Sequence, residues 1–273
     1  MQPFVKWVGG KRQLLHEIEK RLPEKYNNYF EPFVGGGALL FHLEPENAFI
    51  NDINPILIHT YKIIQKDPTE LIKNLYQLEN QTWTKEMYLK EREKFNHKII
   101  NNIFDVELSS LFIFINKKCF NGLFRVNSKG LFNVPFNYNT NGKIFDEDNL
   151  WRIHHFLKRV KITNFDFEEA LKEVQKGDFI FLDSPYVPLN SSSFEEYTKD
   201  GFSLSEHLRL AKLFKELDKK GCYVMMTNHN TDFIYENYSK YHIDVLKVKR
   251  MINSKADKRY GEEVIITNYE FKK

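Results

Sequence analysis

The sequence predicts an α/β fold: an open sheet domain interrupted by a mostly helical insertion that carries a β-hairpin. Three observations lead there. In the first third, short apolar strands feed glycine turns that open helices. In the middle, residues 54 to 116 keep a helical apolar period almost throughout and give way to a turn-rich stretch. In the last third, strands alternate with an amphipathic helix again.

The elements follow in order. Phe4 to Gly10 reads as an extended segment ending in a glycine pair. Lys11 to Leu22 has apolar residues at 14, 15, 18 and 22, a helical spacing stopped by Pro23. Tyr29 to Pro32 is a short strand running into Gly35-Gly36-Gly37. Ala38 to Leu43 starts a helix, and Ala48 to Asn51 is a second strand ending at Asp52. Leu108, Leu111, Phe112 and Ile115 continue the helical period of the middle. From Cys119 to Asn141 the chain fills with Asn, Gly, Phe and Pro, the residues of turns and hairpins. Val160 to Asn164 and Phe179 to Leu182 are strands, and Leu204 to Leu217 is an amphipathic helix. Cys222 to Thr227, His242 to Lys249 and Val264 to Tyr269 are further strands, the last two joined by a basic, polar loop.

Composition excludes several classes. The 273 residues are 42% hydrophobic and 28% charged, enough for a full core in one large domain or one domain with an insertion. No run approaches the roughly 18 apolar residues of a membrane span. Met1 to Lys11 has no signal-peptide character, so a cytoplasmic location is expected. Two cysteines, Cys119 and Cys222, exclude a disulfide framework and a Cys-rich metal site. His154-His155 has no acid or Cys at ligand spacing, and no metal is expected. A net charge of +3 permits nucleic acid without demanding it, so any such surface is a local patch.

Three segments could carry chemistry. In Phe30-Glu31-Pro32-Phe33-Val34-Gly35-Gly36-Gly37, a strand feeds a glycine turn, which lets a ligand approach the backbone. Asp52 then ends the next strand, near the separation of about 20 residues expected of an acid that binds ribose hydroxyls. A plain structural turn explains a glycine triplet equally well. Asp183-Ser184-Pro185-Tyr186 puts a carboxylate, a carbonyl and an aromatic ring after an apolar strand, at the end of an open sheet where ligands bind. An ordinary Asp/Ser/Pro turn is the bland alternative. Phe4-Val5-Lys6-Trp7-Val8-Gly9-Gly10-Lys11 could bind phosphate, but it lacks Walker A spacing and also reads as a surface-exposed basic start to a helix.

The order of these segments is more specific than any one of them. KWVGGK, FEPFVGGG, Asn51-Asp52, NGLFRVNSKGLFNVPF, NFDF, DSPY and TNHN succeed one another. In this the chain resembles the Dam family of DNA adenine-N6 methyltransferases over about residues 3 to 270, above all the members that methylate GATC. The resemblance implies a Rossmann-like S-adenosylmethionine-dependent methyltransferase domain, residues 1–55 and 160–273. It also implies an inserted target-recognition domain, residues 56–159. The methyl donor would be S-adenosyl-L-methionine, with S-adenosyl-L-homocysteine as product. Trp7, Lys11, Phe33, Gly35 and Gly37 would hold the methionine end, Asp52 the ribose, and Asp166 and Phe167 the adenine of the donor. Asp183, Ser184, Pro185 and Tyr186 would carry the reaction, with Asp183 also at the donor. The family's usual tetrad is Asp-Pro-Pro-Tyr; Ser184 replaces the first proline and still supplies a main-chain carbonyl, though without proline's fixed φ.

By the same resemblance, the stretch from Phe120 to Phe136 is a recognition hairpin for double-stranded DNA. Arg125 would read a guanine in the major groove. Leu123 and Pro135 would meet a thymine methyl, and Asn133 belongs to the same segment. Phe120 would fill the gap left in the base stack, Asn121 would face the orphaned base, and Lys6 would contact the first guanine. A solvated hairpin arginine is the alternative for Arg125. Lys249-Arg250 and Lys255 to Arg259 could add phosphate contacts or form a solvated loop. Ser191-Ser192-Ser193 reads as a mobile loop. The expected partner is double-stranded DNA, with no membrane and a monomeric state; a solitary enzyme and one paired with a cognate restriction endonuclease both stay open. Two other functions stay open: a protein that holds DNA and donor but barely methylates, and a protein or RNA N-methyltransferase.

Overall fold

The computed structural model describes residues 1–7, 14–189, 202–249 and 260–271. The fold is mixed α/β with a seven-stranded sheet. The strands are β1 (Tyr29–Glu31), β2 (Ala48–Asn51), β3 (Val160–Thr163), β4 (Phe179–Leu182), β5 (Tyr223–His229), β6 (His242–Lys249) and β7 (Tyr260–Thr267). The helices among the described residues are α1 (Leu15–Glu19), α2 (Ala38–Leu43), α3 (Pro55–Lys66), α4 (Thr69–Glu79), α5 (Lys85–Ile100), α6 (Val106–Lys118), α7 (Glu147–Leu157), α8 (Phe167–Ala170), α9 (Leu204–Lys220) and α10 (Asp232–Tyr238). The chain separates into two compact units. One is Met1–Arg12 with Val34–Glu46 and Asn51–Phe165; the other is Gln13–Phe33 with Asn47–Ile50 and Asp166–Lys273.

The first unit is mostly helical. The long helical stretch expected from the sequence is cut into four helices, three of them started by a polar side-chain cap and α4 by Pro68. Asn54 accepts from the amides of Ile56 and Leu57, Thr84 from Met87, and Asp105 from Leu108. α6, with the apolar run Leu111 to Ile115 at its centre, is buried on nearly all sides, packed against α3, α4 and α5. The expected β-hairpin does not form regular strands. Residues 119–141 make only two isolated antiparallel bridges, Cys119 with Phe136 and Val126 with Phe132. A 3-10 turn at Phe120–Gly122, with Asn121 left-handed at φ 57°, interrupts one arm, and Pro135 has no N–H to give on the other.

The second unit holds the parallel core. Its strand order is β2-β1-β4-β5-β7-β6, with β1 parallel to β2 and β4, and β4 parallel to β5. β7 is antiparallel to both neighbours. β4 is buried on both faces, as its uninterrupted Phe-Ile-Phe-Leu run requires of a central parallel strand. From β1 the chain proceeds outward to β2, and from β4 it proceeds the other way to β5. The β1–β4 boundary is therefore the switch point at which open α/β sheets bind ligands. The core joins Phe30, Ile180, Leu182, Val224, Met226, Val264 and Ile266 of the sheet to Leu210, Phe214 and Leu217 of α9.

Two elements depart furthest from expectation, the other ends shifting by three residues or fewer. α1 is shorter, because Arg21 and Leu22 bond in 3-10 fashion to Ile18 and Glu19 before Pro23. β7 begins at Tyr260 rather than Val264, since it pairs with β6 over its whole length. It ends at Thr267, where Asn268 turns to bond both backbone groups of Val224.

Candidate functional site

In the first unit, the end of β2 and the glycine turn are tied together by one carboxylate. The Gly35 amide donates to Asp52 Oδ2 at 3.0 Å and the Asn54 amide to Oδ1 at 2.9 Å. Burial raises the Asp52 pKa above the usual carboxylate range, opposed by these two amides. Gly35 and Gly37 have φ of 48° and 72°, and Tyr61 donates to the Gly35 carbonyl at 3.1 Å. A Cβ on Gly35 would stand 2.6 Å from the Trp7 indole, and one on Gly37 would stand 2.6 Å from the Tyr61 hydroxyl. Glycine is thus required at both places by strain and by space. The triplet is a fitted turn with Trp7 laid over it. Buried Asn51, beside Asp52, bonds both the amide and the carbonyl of Phe165, so the end of β2 and the segment after β3 are pinned together.

Trp7 also stacks on Phe124, with centroids 5.7 Å apart and planes 18° apart. The neighbouring Lys6 is held by its backbone. Buried Asn116 of α6 accepts from the Lys6 amide and donates to the carbonyls of Lys6 and Gly122. The Lys6 side chain remains exposed. From α5, Tyr88 donates to the Val134 carbonyl and Asn96 bonds both backbone groups of Phe132. Arg125 Nε donates to Asn133 Oδ1 at 3.0 Å across the turn, and the Asn133 amide donates to the Arg125 carbonyl. Phe120 is 55% exposed beside exposed Asn121; Pro135 is exposed and Leu123 half-buried. Lys6, Phe120, Asn121, Leu123, Arg125, Asn133 and Pro135 therefore all lie in the first unit.

In the second unit, Asp183 follows β4 directly. The register pairs Leu182 with Met226, which sets Asp183 beside Thr227, and the Thr227 hydroxyl donates to Asp183 Oδ1 at 2.8 Å. Ser184 is buried, and its hydroxyl donates to the Pro185 carbonyl at 3.3 Å. Tyr186 donates from its hydroxyl to Glu263 Oε2 at 2.9 Å, and its ring meets His229 edge-on at 4.9 Å. Burial pushes the Tyr186 pKa well up, and the carboxylates of Asp183 and Glu263 push it further, so the phenol stays a donor. Val187 is fixed at both backbone groups, its amide by Asn228 and its carbonyl by His229.

Phe33, Phe167 and Phe202 form a second cluster in this unit, with centroids 5.4 to 5.9 Å apart. Asp166 caps α8 by accepting from the Glu168 amide, and Arg209 of α9 donates to the same oxygen at 2.8 Å. The Arg209 guanidinium lies 4.7 Å from the centre of the Phe167 ring and also pairs with Glu168 and Glu206.

Lys11, the glycine pair at 9 and 10, Ser191 to Ser193, Arg250 and Lys255 to Arg259 lie outside the described residues. Sequence reasoning missed Asn116, Arg209 and Glu263 altogether. It noticed Thr227 as the end of a strand and the first residue of the TNHN segment and gave it no role. An asparagine closing the apolar run Leu111 to Ile115 was a usable signal for Asn116. Arg209 and Glu263 carry none, because one sits on an amphipathic surface helix and the other matters through strand register.

Comparison with known proteins adds an independent line. The family model for D12 class N6 adenine-specific DNA methyltransferases matches residues 7–252. The chain is 43% identical to the type II methyltransferase M1.LlaDCHI of Lactococcus lactis subsp. cremoris, covering 98% of this chain and 96% of that protein. It is also 43% identical to the type II methyltransferase M.MjaIII of Methanocaldococcus jannaschii, covering 98% and 99%. A DNA adenine methylase of Haemophilus influenzae is 33% identical over 100% of this chain and 95% of its own length.

Proposed function

Given that the chain belongs to the D12 class of N6 adenine-specific DNA methyltransferases, we propose that it moves the methyl group of S-adenosylmethionine to N6 of an adenine flipped out of double-stranded DNA, within GATC. The observation that carries this reading is the tetrad: Asp183 oriented by Thr227 at the end of β4, then the Ser184 carbonyl, then a half-buried Tyr186 tied to Glu263.

The residues fit the donor. Asp52 is an acid at a strand end, bonded to the amide of a positive-φ glycine turn, and Phe33 and Phe167 offer an aromatic pair to an adenine ring. When bound, S-adenosylmethionine supplies an electrophilic methyl group on a sulfonium. The chain's own task is to make the adenine nitrogen nucleophilic. The N6 lone pair is delocalised into the ring, so the amine alone attacks poorly. Asp183 accepts one N6 hydrogen and the Ser184 carbonyl the other, in tetrahedral directions that localise the lone pair. Both acceptors pull harder as the nitrogen becomes positive, which favours the transition state over the ground state. Tyr186 stacks on the extruded base, and extrusion is required because N6 is unreachable inside the duplex.

Target recognition belongs to residues 56–159, with Lys6 beside them. Arg125 reads guanine, Leu123 and Pro135 meet the thymine methyl, Phe120 fills the emptied stack, and Asn121 faces the unpaired base. The exposure of Phe120 and the left-handed turn at Asn121 support an aromatic wedge offered to solvent. The type II names of the relatives support pairing with a cognate restriction endonuclease. A monomer acting in the cytoplasm completes the reading. The test is to express the chain in a methylation-free host and map modified adenines in its DNA by sequencing. Modification confined to GATC supports the proposal; unmodified DNA or methylation at another motif ends it.

Three substitutions probe its parts. Asp52→Ala, and Lys11→Ala, should each weaken S-adenosylmethionine binding by roughly 1–3 kcal/mol, the scale of a lost charged hydrogen bond. Titration calorimetry that finds unchanged affinity removes the residue from the donor site. Ser184→Pro restores the usual tetrad. Among the described residues no acceptor takes the Ser184 amide hydrogen, so proline forfeits no bond there. Turnover should hold or rise; loss of activity would mean that the serine side chain has its own part.

A further inference from the structure

We infer that Glu263 on β7 and Thr227 on β5 are positioning residues for methyl transfer, Glu263 holding the ring of Tyr186 and Thr227 the carboxylate of Asp183. The inference rests on the reading of the tetrad given above and concerns what keeps it in shape.

The sheet itself builds this support. β5 and β7 run antiparallel with Thr227 opposite Ile265 and His229 opposite Glu263. Residues opposite one another share a face of the sheet, and so do residues two apart. Thr227, His229 and Glu263 therefore project from one face, at the end of the strands beside the tetrad. Each meets a group of the segment after β4. Thr227 donates to Asp183 at 2.8 Å, Glu263 accepts from Tyr186 at 2.9 Å, and His229 lies edge-on to the Tyr186 ring. His229 also bonds the Val187 carbonyl at 2.8 Å.

The chemistry matches the task. A hydroxyl that donates to one carboxylate oxygen sets the rotation of the whole group and so aims the other oxygen. A phenol donating to a carboxylate is a charge-assisted bond, stronger than a neutral one, and fixes the far end of the ring. A ring held at its tip and braced by a perpendicular neighbour keeps one orientation. Positioning of this kind carries large effects, because a displacement of about 1 Å at a reacting group can cost about 100-fold in rate. The reversed strand β7 is thus part of the active-site scaffold, since it alone brings Glu263 to the tyrosine.

The experiment is a double-mutant cycle read in kcat on a GATC duplex, with donor affinity measured alongside. Glu263→Ala and Tyr186→Phe should each lower kcat between about 10- and 100-fold, and together should lower it no further than the worse single variant. Glu263→Gln, whose amide oxygen still accepts from the phenol, should retain most of the rate. Thr227→Val should lower kcat about tenfold or more and Thr227→Ser should restore it. Donor affinity should stay within about twofold throughout, as expected of groups that act on the adenine side. Multiplicative losses from Glu263→Ala and Tyr186→Phe, or an unchanged kcat in Glu263→Ala, overturn the assignment. If Glu263→Ala fails to fold, Tyr186→Phe decides: full activity without the hydroxyl also overturns it. A wild-type chain that leaves adenine unmethylated, or an Asp183→Ala variant that methylates normally, would instead refute the tetrad reading on which the inference depends.

Discussion

Asp183→Ala is expected to reduce methyl transfer by at least two to three orders of magnitude while S-adenosylmethionine still binds. The magnitude follows from the role. Removing one preorganised group aimed at charge that develops in the transition state costs roughly 10²- to 10³-fold. Here the amine also loses the stronger of two acceptors, leaving only the Ser184 carbonyl to localise its lone pair. Thr227 stays in place and loses its acceptor, which is a small local cost because β5 is anchored along its length to β4 and β7. Fold and donor affinity should therefore survive, and single-turnover assays with labelled donor separate chemistry from binding. Activity within about threefold of wild type would sink the assignment of the tetrad, since no group acting through the transition state leaves so small a trace.

Much of the scaffold of this site was legible in the sequence because its signals are local. Phe179 to Leu182 is an apolar run bounded by polar residues, and it is β4 residue for residue. Ala38 to Leu43 and Ala48 to Asn51 are likewise α2 and β2. The glycine triplet announced a turn, and two of its glycines do take positive φ. What escaped depends on groups far apart in the chain. Strand order is not encoded in any window, so the switch point between β1 and β4 could not be read, nor could the neighbours of Asp183. Thr227 and Glu263 become meaningful only when β5 and β7 pair in one register. Arg209 looks like solvated charge until α9 brings it over Phe167. The turn-rich stretch 119–141 misled in the opposite way. Its composition announces a hairpin, but its arms are held from outside, by Tyr88 and Asn96 of α5 and Asn116 of α6, more than by a ladder of their own.

That external clamp bears on specificity, through Arg125. Its Nε is committed to Asn133, and among the described residues no hydrogen bond engages its two terminal nitrogens. A guanidinium held this way points a fork of two parallel donors outward, the geometry that matches N7 and O6 of guanine. Such a pair contributes about 1–3 kcal/mol of discrimination against the wrong base. Arg125→Ala should therefore relax preference at one guanine of GATC by roughly 5- to 150-fold, with methylation of already poor sites falling much less. Asn133→Ala should move the same position in the same direction but less far, because the fork survives and only its aim is lost. A phosphate contact would behave differently: its removal weakens every sequence alike and flattens the salt dependence of binding. Competition between GATC duplexes altered at one base pair each distinguishes the two. If Arg125→Ala slows every duplex by one common factor, this arginine reads no base, and the assignment of GATC loses its strongest structural support.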